Sequence, residues 1–391
     1  MKVFEINTVC GYGSTGRIVN GIYDTLKARG DDCFVAYGRK EAPDGYAKIC
    51  LDSAPEVYAH ALLAKTVDMD GCGSRRATAK LIRKLEEYQP DVIHLHNLHG
   101  YYLNIKMLFR YLAEKEIPVV WTLHDCWSFT GTCFHFEYIG CDRWKSHCHD
   151  CPKRQHGLCR DGSKEMFTLK KDLFTGVKNM TVVTPSQWLA DLAKQSYLSK
   201  YPVRVIHNGI RLSDFKPTPC TRDFGGKRVV LGVASVWTPT KGLDTLIRLA
   251  DSLGEAYQVV VVGLNDRQLK ALPDSVMGIK RTNSIQELAE LYSAADVFVN
   301  PTMADNYPTT NLEALACGTQ VITYRTGGSP ESVDETCGAV VAQGDEEALR
   351  AEIIRLCDAP RSAEACLNRA RSFDQADRFG EYADLFRDLV K

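Results

Sequence analysis

No run in this chain of 391 residues approaches 18 consecutive apolar side chains, so nothing in it reads as a membrane-spanning helix. Neither sign of charge is in excess: 48 Lys and Arg against 49 Asp and Glu leave a formal net charge of −1, which argues against nucleic acid as the main partner. Internal repeats and low-complexity tracts are absent, which excludes a solenoid array. The opening Met1-Lys2-Val3-Phe4-Glu5-Ile6 reads as a first strand rather than a signal peptide, so the chain is expected in the cytoplasm. What remains is the composition of an ordinary soluble protein, at a length that fits two domains with a core each.

Cysteine, by contrast, is plentiful. The 15 residues are odd in number and scattered, several in expected helices or strands (Cys317, Cys357, Cys366), the pattern of reduced thiols rather than of a disulfide framework. One local cluster stands apart: Cys133, Cys141, Cys148 and Cys151, flanked by Cys126 and Cys159. Cys148-His149-Asp150-Cys151 is a C-x2-C knuckle, and Cys133 with Cys141 supplies a looser second pair. Four thiolates in a stretch poor in regular structure suit tetrahedral Zn²⁺ at about 2.3 Å per sulfur, and a closed set of four leaves no position for water, so such a zinc would be structural. His135, His147 or His149 could replace one thiolate, and buried reduced thiols are the plainer alternative.

The most informative stretch runs from Asp296 to Gly318. Val297 to Val299 fits a buried parallel strand, ended by Pro301, and a polar loop follows. A helix is expected from Pro308, capped by Thr309 and Thr310, with Leu312, Leu315 and Ala316 on its apolar face and Gly318 at its end. In such a unit the helix N-terminus sits at the carboxyl edge of the sheet and favours an anion such as a diphosphate. Asp305 and Glu313 are eight positions apart, about 12 Å were the span all helix. That is too far to share a proton but suited to gripping two ends of one ligand. Two solvated acids on a plain strand-loop-helix unit remain the alternative.

Asp305, seven residues, Glu313 and then Ala314-Leu315-Ala316-Cys317-Gly318 resemble the acid-x7-acid signature of the retaining glycosyltransferases of family 4. The resemblance covers nearly the whole chain and runs toward the bacterial colanic-acid and capsule-type enzymes. It implies an α/β chain of the GT-B fold, two Rossmann-like doubly wound domains facing across a cleft. It also implies transfer of a hexosyl unit from a nucleoside diphosphate sugar to a glycan or lipid-linked glycan acceptor, with no catalytic metal. The first acid would contact the donor sugar and the second the nucleotide ribose. In the family the first acid is usually Glu, one methylene longer than Asp305.

In the first half, Lys2 to Thr8 is followed by a glycine-rich turn, Cys10 to Arg17, opening a helix. The same turn could serve a nicotinamide dinucleotide, but the acid expected on the ribose would fall at Asp31 or Asp32, before the next strand rather than at its end. The resemblance places Gly11, Gly13 and Gly16 beside the donor diphosphate and the acceptor. Arg75, Arg76, Lys80, Arg83 and Lys84 crowd one expected helix, either a solvated face or a patch for an acceptor diphosphate or for anionic headgroups at the inner face of the cytoplasmic membrane. His94 and His96 share one face of a strand and read as core residues with hydrogen-bonded nitrogens in preference to metal ligands. His124 closes the apolar strand Pro118 to Leu123, and the matching Thr-x-His of the family faces the donor sugar, with Asp125 beside it. Six strands are expected before residue 212.

In the second half, Val229 to Val236 reads as a strand leading through Trp237-Thr238-Pro239-Thr240 to Lys241-Gly242 and a helix. A cation there can neutralise the charge growing on a departing diphosphate. The family carries an Arg five residues earlier, where this chain has Val236, leaving Arg17 or Arg281 to stand in. Loops near Gly263, Arg281 and Thr282 are expected at the nucleobase, and Gly327-Gly328-Ser329-Pro330-Glu331 resembles the family's Gly-Gly-x-Pro-Glu loop. The expected domains are 1–212, with a cysteine-rich insertion at 126–160, then 213–372, and a last helix at 373–391 packing back toward the first domain. Catalytic roles fall to His124, Lys241, Asp305 and Glu313, and donor binding to the glycines, Arg17, Arg281, Thr309 and Thr310. The rival readings are an epimerase or phosphorylase on the same fold, or a non-catalytic zinc-stabilised binder.

Overall fold

A computed structural model describes residues 1–153 and 160–391. The chain divides into two compact units, Met1–His207 with Arg378–Lys391, and Asn208–Asp377.

The first unit is built on a seven-stranded sheet: β1 Lys2–Asn7, β2 Asp32–Tyr37, β3 Lys48–Cys50, β4 Val92–Leu95, β5 Val119–Thr122, β6 Met180–Thr184 and β7 Val203–Val205. The order is β3-β2-β1-β4-β5-β6-β7, with every pair parallel. Val3, Phe4 and Ile6 on β1 and Val92 and Ile93 on β4 are wholly buried, as strands covered by helices on both faces must be. The strand of this sheet missing from the sequence reading is β3, whose three half-buried residues carry almost no pattern.

The last helix, Gln375–Leu389, belongs chiefly to this unit. Phe379, Tyr382 and Phe386 recur at helical spacing and are buried, worth about 1.5–3 kcal/mol each in apolar burial. Phe379 lies so close to Gly21 that a Cβ there would meet its ring at 2.2 Å, so only glycine admits the helix.

The second unit holds six parallel strands, β8 Arg228–Val233, β9 Tyr257–Val262, β10 Val276–Ile279, β11 Val297–Asn300, β12 Val321–Tyr324 and β13 Gly338–Val341, in the order β10-β9-β8-β11-β12-β13. The unit boundary lies at His207/Asn208 rather than 212/213, because Ile210 bridges Asp374 and exchanges backbone hydrogen bonds with Phe373 and Gln375. The second boundary falls at 377 rather than 372. β8 stops at Val233, and Val236 is 62% exposed in the loop beyond.

Both sheets reverse direction of growth once, between β1 and β4 and between β8 and β11. At such a switch point the loops leaving two adjacent strands diverge and open a crevice at the carboxyl edge.

Candidate active site

In the second unit the switch point gathers the sequence-predicted residues. The loop after β8 carries Lys241, which closes a 3₁₀ turn, Pro239–Lys241, before the helix Leu243–Leu253. The loop after β11 carries Asp305. Lys241 Nζ donates to Asp305 Oδ2 at 2.5 Å, with both side chains partly exposed. Backbone fixes the pair: Met303 N–H donates to the Thr240 carbonyl at 2.7 Å. Gly242 sits so close to Pro301 that a Cβ would lie 2.3 Å from its carbonyl oxygen, at a φ of +80° that already favours glycine.

The helix Thr309–Ala316 follows, with Pro308 at its N-cap and no side-chain cap, so Thr309 and Thr310 lie inside the first turn instead of capping it. Cys317 takes the C-cap and Gly318 follows at a φ of +82°. Glu313, one turn in, is buried and accepts from Tyr292 Oη at 2.9 Å. Gly328 N–H donates to the Asn306 carbonyl at 2.8 Å, tying the Gly327-Gly328 loop after β12 to the Asp305 loop.

Gly263 ends β9 at a φ of +100°, where a Cβ would lie 1.6 Å from the Ala234 carbonyl oxygen. Arg281 and Thr282 follow β10, the edge strand two removed from β8, about 10 Å of sheet from the Lys241 loop.

The sequence reading missed Asn311. Wholly buried, it accepts from Asn300 Nδ2 at 2.8 Å and donates to Ser329 Oγ at 3.1 Å and Ser332 Oγ at 2.9 Å. This links β11, the helix and the turn after Gly328. A polar residue on the buried side of a short helix was the available signal.

In the first unit, Gly11, Gly13 and Gly16 leave β1 as expected, with Gly11 and Gly13 at positive φ and Gly11 N–H on the Gly16 carbonyl at 3.1 Å. Arg17 is exposed on the helix Gly13–Ala28. Beyond β4 and β5 lies a histidine cluster. His94 and His96 are core residues, as expected, and both are hydrogen-bonded: His94 Nδ1 to Glu5 Oε1 at 3.2 Å, His94 Nε2 to Thr122 Oγ1 at 2.8 Å, and His96 Nδ1 to His124 Nε2 at 3.0 Å. Burial holds all three imidazoles below their ordinary pKa, His124 at about 4, so they are neutral at pH 7. Burial likewise pushes the Glu5 carboxyl well above the usual carboxylate range.

Asp125 pairs instead with His99, Oδ2 to Nε2 at 2.8 Å, and its Oδ1 accepts from Trp127 N–H at 2.8 Å. Burial alone would lower His99, but the Asp125 carboxylate outweighs it and leaves His99 above its ordinary value.

Of the cysteine segment, Cys126 and Cys151 are buried and Cys133, Cys141 and Cys148 half-buried against the first unit's core, while Cys159 lies outside the described residues. A hydrogen bond between the Cys133 and Cys151 thiols raises the first and lowers the second, and Gly131 N–H donates to Cys148 Sγ at 3.2 Å. Lys170, wholly buried, holds its Nζ 4.0 Å from the centre of the Trp127 ring, and the Cys133 and Cys148 sulfurs are near enough to act on it electrostatically. Among the described residues, the trio whose potential ligand atoms all lie within 4.8 Å of one another is Glu5, His94 and His96, so the sulfurs are gathered more loosely than that.

Residues 15–214 match the profile described as Glycosyltransferase Family 4, and residues 227–359 that of Glycosyl transferases group 1. The chain is 27% identical over 322 residues, 77% of each chain, to a protein of Escherichia coli (strain K12) named for colanic acid biosynthesis, the glycosyl transferase WcaC. Among solved structures it is similar to sucrose-phosphate synthase of Thermosynechococcus elongatus, with TM-score 0.75, 19% identity and 100% and 99% of the two chains covered. It is also similar to an Anabaena protein, HepE, in complex with UDP-glucose, with TM-score 0.68, 15% identity and 99% and 100% covered. The family 4 profile spans about half the chain, and the structural likeness shows the fold. This chain belongs to glycosyltransferase family 4 and is a glycosyltransferase of the GT-B fold.

Proposed function

We propose that the enzyme is a retaining transferase that moves a hexosyl unit from a nucleoside diphosphate sugar to a glycan or lipid-linked glycan of a bacterial surface polysaccharide. The observation that carries this reading is the Lys241–Asp305 pair at the switch point of the second sheet, beside the N-terminus of the helix that bears Glu313. Lys241 and the first N–H groups of that helix would stabilise the departing diphosphate, where a preformed positive group acts most strongly. Asp305 then binds a donor hexose hydroxyl, Glu313 the ribose, and His124 the donor sugar. The leaving phosphate assists removal of the acceptor proton, so the reaction calls on no protein nucleophile.

The donor is tested by thermal shift against UDP, GDP, ADP, CMP and dTDP and their sugar conjugates. Uridine compounds come first, since a protein of the same fold was crystallised with UDP-glucose. A ligand at 100 times its Kd stabilises the native state by about 2.7 kcal/mol. A shift with one base supports the reading; none with any base overturns it.

The four cysteines are assigned a structural zinc. Four thiols from one segment are the donor set such a site uses, and buried Lys170 would offset part of the charge of the bound thiolates. No helix of the described residues is long and apolar enough to cross a membrane. Contact with a bilayer would fall to the helix Arg75–Tyr88. There Arg75, Arg76, Lys80 and Arg83 are exposed, Lys80 also reaching the Cys50 carbonyl, while half-buried Lys84 turns to Glu87, exposed like Glu86 near the helix end; Tyr58 and Leu62 are exposed on the preceding helix, Ala54–Val67. Co-sedimentation with anionic and neutral vesicles tests this: binding to neither removes it.

A further inference from the structure

Glu5, His94 and His96 are wholly or almost wholly buried, on or directly after two central strands, and the glycosyltransfer proposed above uses none of them. We infer that Glu5, acting through His96, fixes which nitrogen of His124 carries the proton, so that His124 presents a bare lone pair at Nδ1 to the group it meets. The inference rests on the reading of His124 as the contact to the donor sugar, and it makes that contact a hydrogen-bond acceptor for a sugar hydroxyl.

The argument is one of proton counting. Glu5 Oε1 meets two imidazoles, His94 Nδ1 at 3.2 Å and His96 Nε2 at 3.5 Å, while Oε2 meets Cys33 Sγ at 3.5 Å. A bare carboxylate oxygen can accept from both rings, and were Oε1 itself protonated the shorter contact, to His94 Nδ1, would take that proton, so in either case Oε1 is left to accept from His96. This holds for the ionised carboxylate, and equally for the neutral acid with its proton on Oε2. Among the described residues His96 Nε2 makes no hydrogen bond of normal geometry, and the Glu5 oxygen at 3.5 Å is the group a proton there would face.

His96, neutral, then has no proton left for Nδ1. That nitrogen lies 3.0 Å from His124 Nε2, the ring planes are within 10° of parallel, and the ring centroids are 5.3 Å apart, a separation long enough for the two rings to meet edge to edge through an N–H···N bond. His124 must donate. Being neutral, it has spent its one N–H on His96, and Nδ1 is left as an acceptor. The Glu5-His94-His96 trio also has the spacing of a metal site, but both nitrogens of His94 already hold hydrogen-bond partners, and the proton count closes without an ion. Glu5 and His96 are therefore positioning residues.

The test is the two-bond ¹H–¹⁵N spectrum of the full chain labelled with ¹⁵N-histidine, at pH 7 and without donor or acceptor. Failure of glycosyl transfer thus leaves the readout intact. His124 is expected as the neutral Nε2–H tautomer; an Nδ1–H tautomer or an imidazolium overturns the inference. Glu5→Leu removes the acceptor, frees His96 to protonate Nδ1, and should switch His124 to Nδ1–H. Turnover should fall about ten-fold with nucleotide affinity retained, the loss of one aligned hydrogen bond. Glu5→Gln keeps a carbonyl oxygen toward both histidines and should restore the Nε2–H tautomer and most of the turnover. A Glu5→Leu protein that folds with His124 still protonated at Nε2 overturns the relay. Should that variant not fold, the wild-type and Glu5→Gln spectra decide.

Discussion

Lys241 and Asp305 lie 64 positions apart in the chain and 2.5 Å apart in space, because β8 and β11, which feed their loops, are neighbours where the second sheet reverses its growth. On the proposed reading, the cation that would face the leaving phosphate is held by a carboxylate in the absence of donor. Lys241→Ala should lower kcat about a hundred-fold, the usual loss for one preorganised charge-stabilising contact. Steady-state kinetics at saturating donor check it, and full turnover would remove the leaving-group role.

Since the two side chains share one bond, their substitutions should not add. The double variant Lys241→Ala, Asp305→Ala is expected to lose less than the product of the single losses, an interaction of about 0.5–3 kcal/mol. Multiplicative losses would mean that the pair works as two independent groups.

Stability should fall in mild acid. His60, His94, His96 and His124 are all held below the ordinary value of 6.5, burial being the first cause for each. As pH drops below about 6.5 the unfolded chain takes up protons that the native state refuses, so the native state loses ground in that window. Glu5 works in the opposite sense, its raised value stabilising the native state at low pH, as does His99, raised by Asp125 against the pull of burial. Cys151, lowered to about 6 by its hydrogen bond with Cys133, and Lys170, lowered by burial to about 7, act in the same sense as the four histidines, so six groups oppose two. Calorimetry should find Tm decreasing between about pH 7 and 5; a flat or rising Tm contradicts it.

Protein purified without added metal should contain about one zinc per chain by elemental analysis, and Cys148→Ser should lower both zinc content and Tm. Four titratable thiols and no metal would remove the zinc proposal.

Gly263→Ala should cost several kcal/mol of stability, since the new Cβ meets the Ala234 carbonyl in a backbone region hostile to side chains. Denaturant unfolding measures it. An unchanged midpoint would mean that the strand end shifts freely and that this glycine serves only a ligand.

Much of this architecture is legible in the chain, for identifiable reasons. Buried parallel strands are written as apolar runs such as Val259 to Val262, and the acid-x7-acid spacing marks its own loop and helix. The three-residue strand β3 is too short to show a period, and β8 ends early because its apolar lettering continues into an exposed loop at Val236. The expected Thr309 and Thr310 caps failed because Pro308, already extended, takes the N-cap and carries both threonines into the helix. Contacts made through sheet order escape any local pattern. Nothing in the sequence near Lys241 announces Asp305, and nothing near Glu5 announces His96, 91 residues on.

The Glu5-His96-His124 chain has one more consequence, for motion. Glu5 is on β1, and His96 and His124 follow the ends of β4 and β5 by one and two residues, three neighbouring strands in the middle of a seven-stranded sheet; the His96 N–H still donates to the Ile6 carbonyl of β1 at 2.9 Å. Fluctuations that open loops cost little, whereas central strands part only when the whole domain unfolds. With His96 tied to β1 through its backbone and His124 to His96 through its ring, the orientation of His124 follows the centre of the sheet, and on the proposed reading its imidazole would meet each arriving sugar already set.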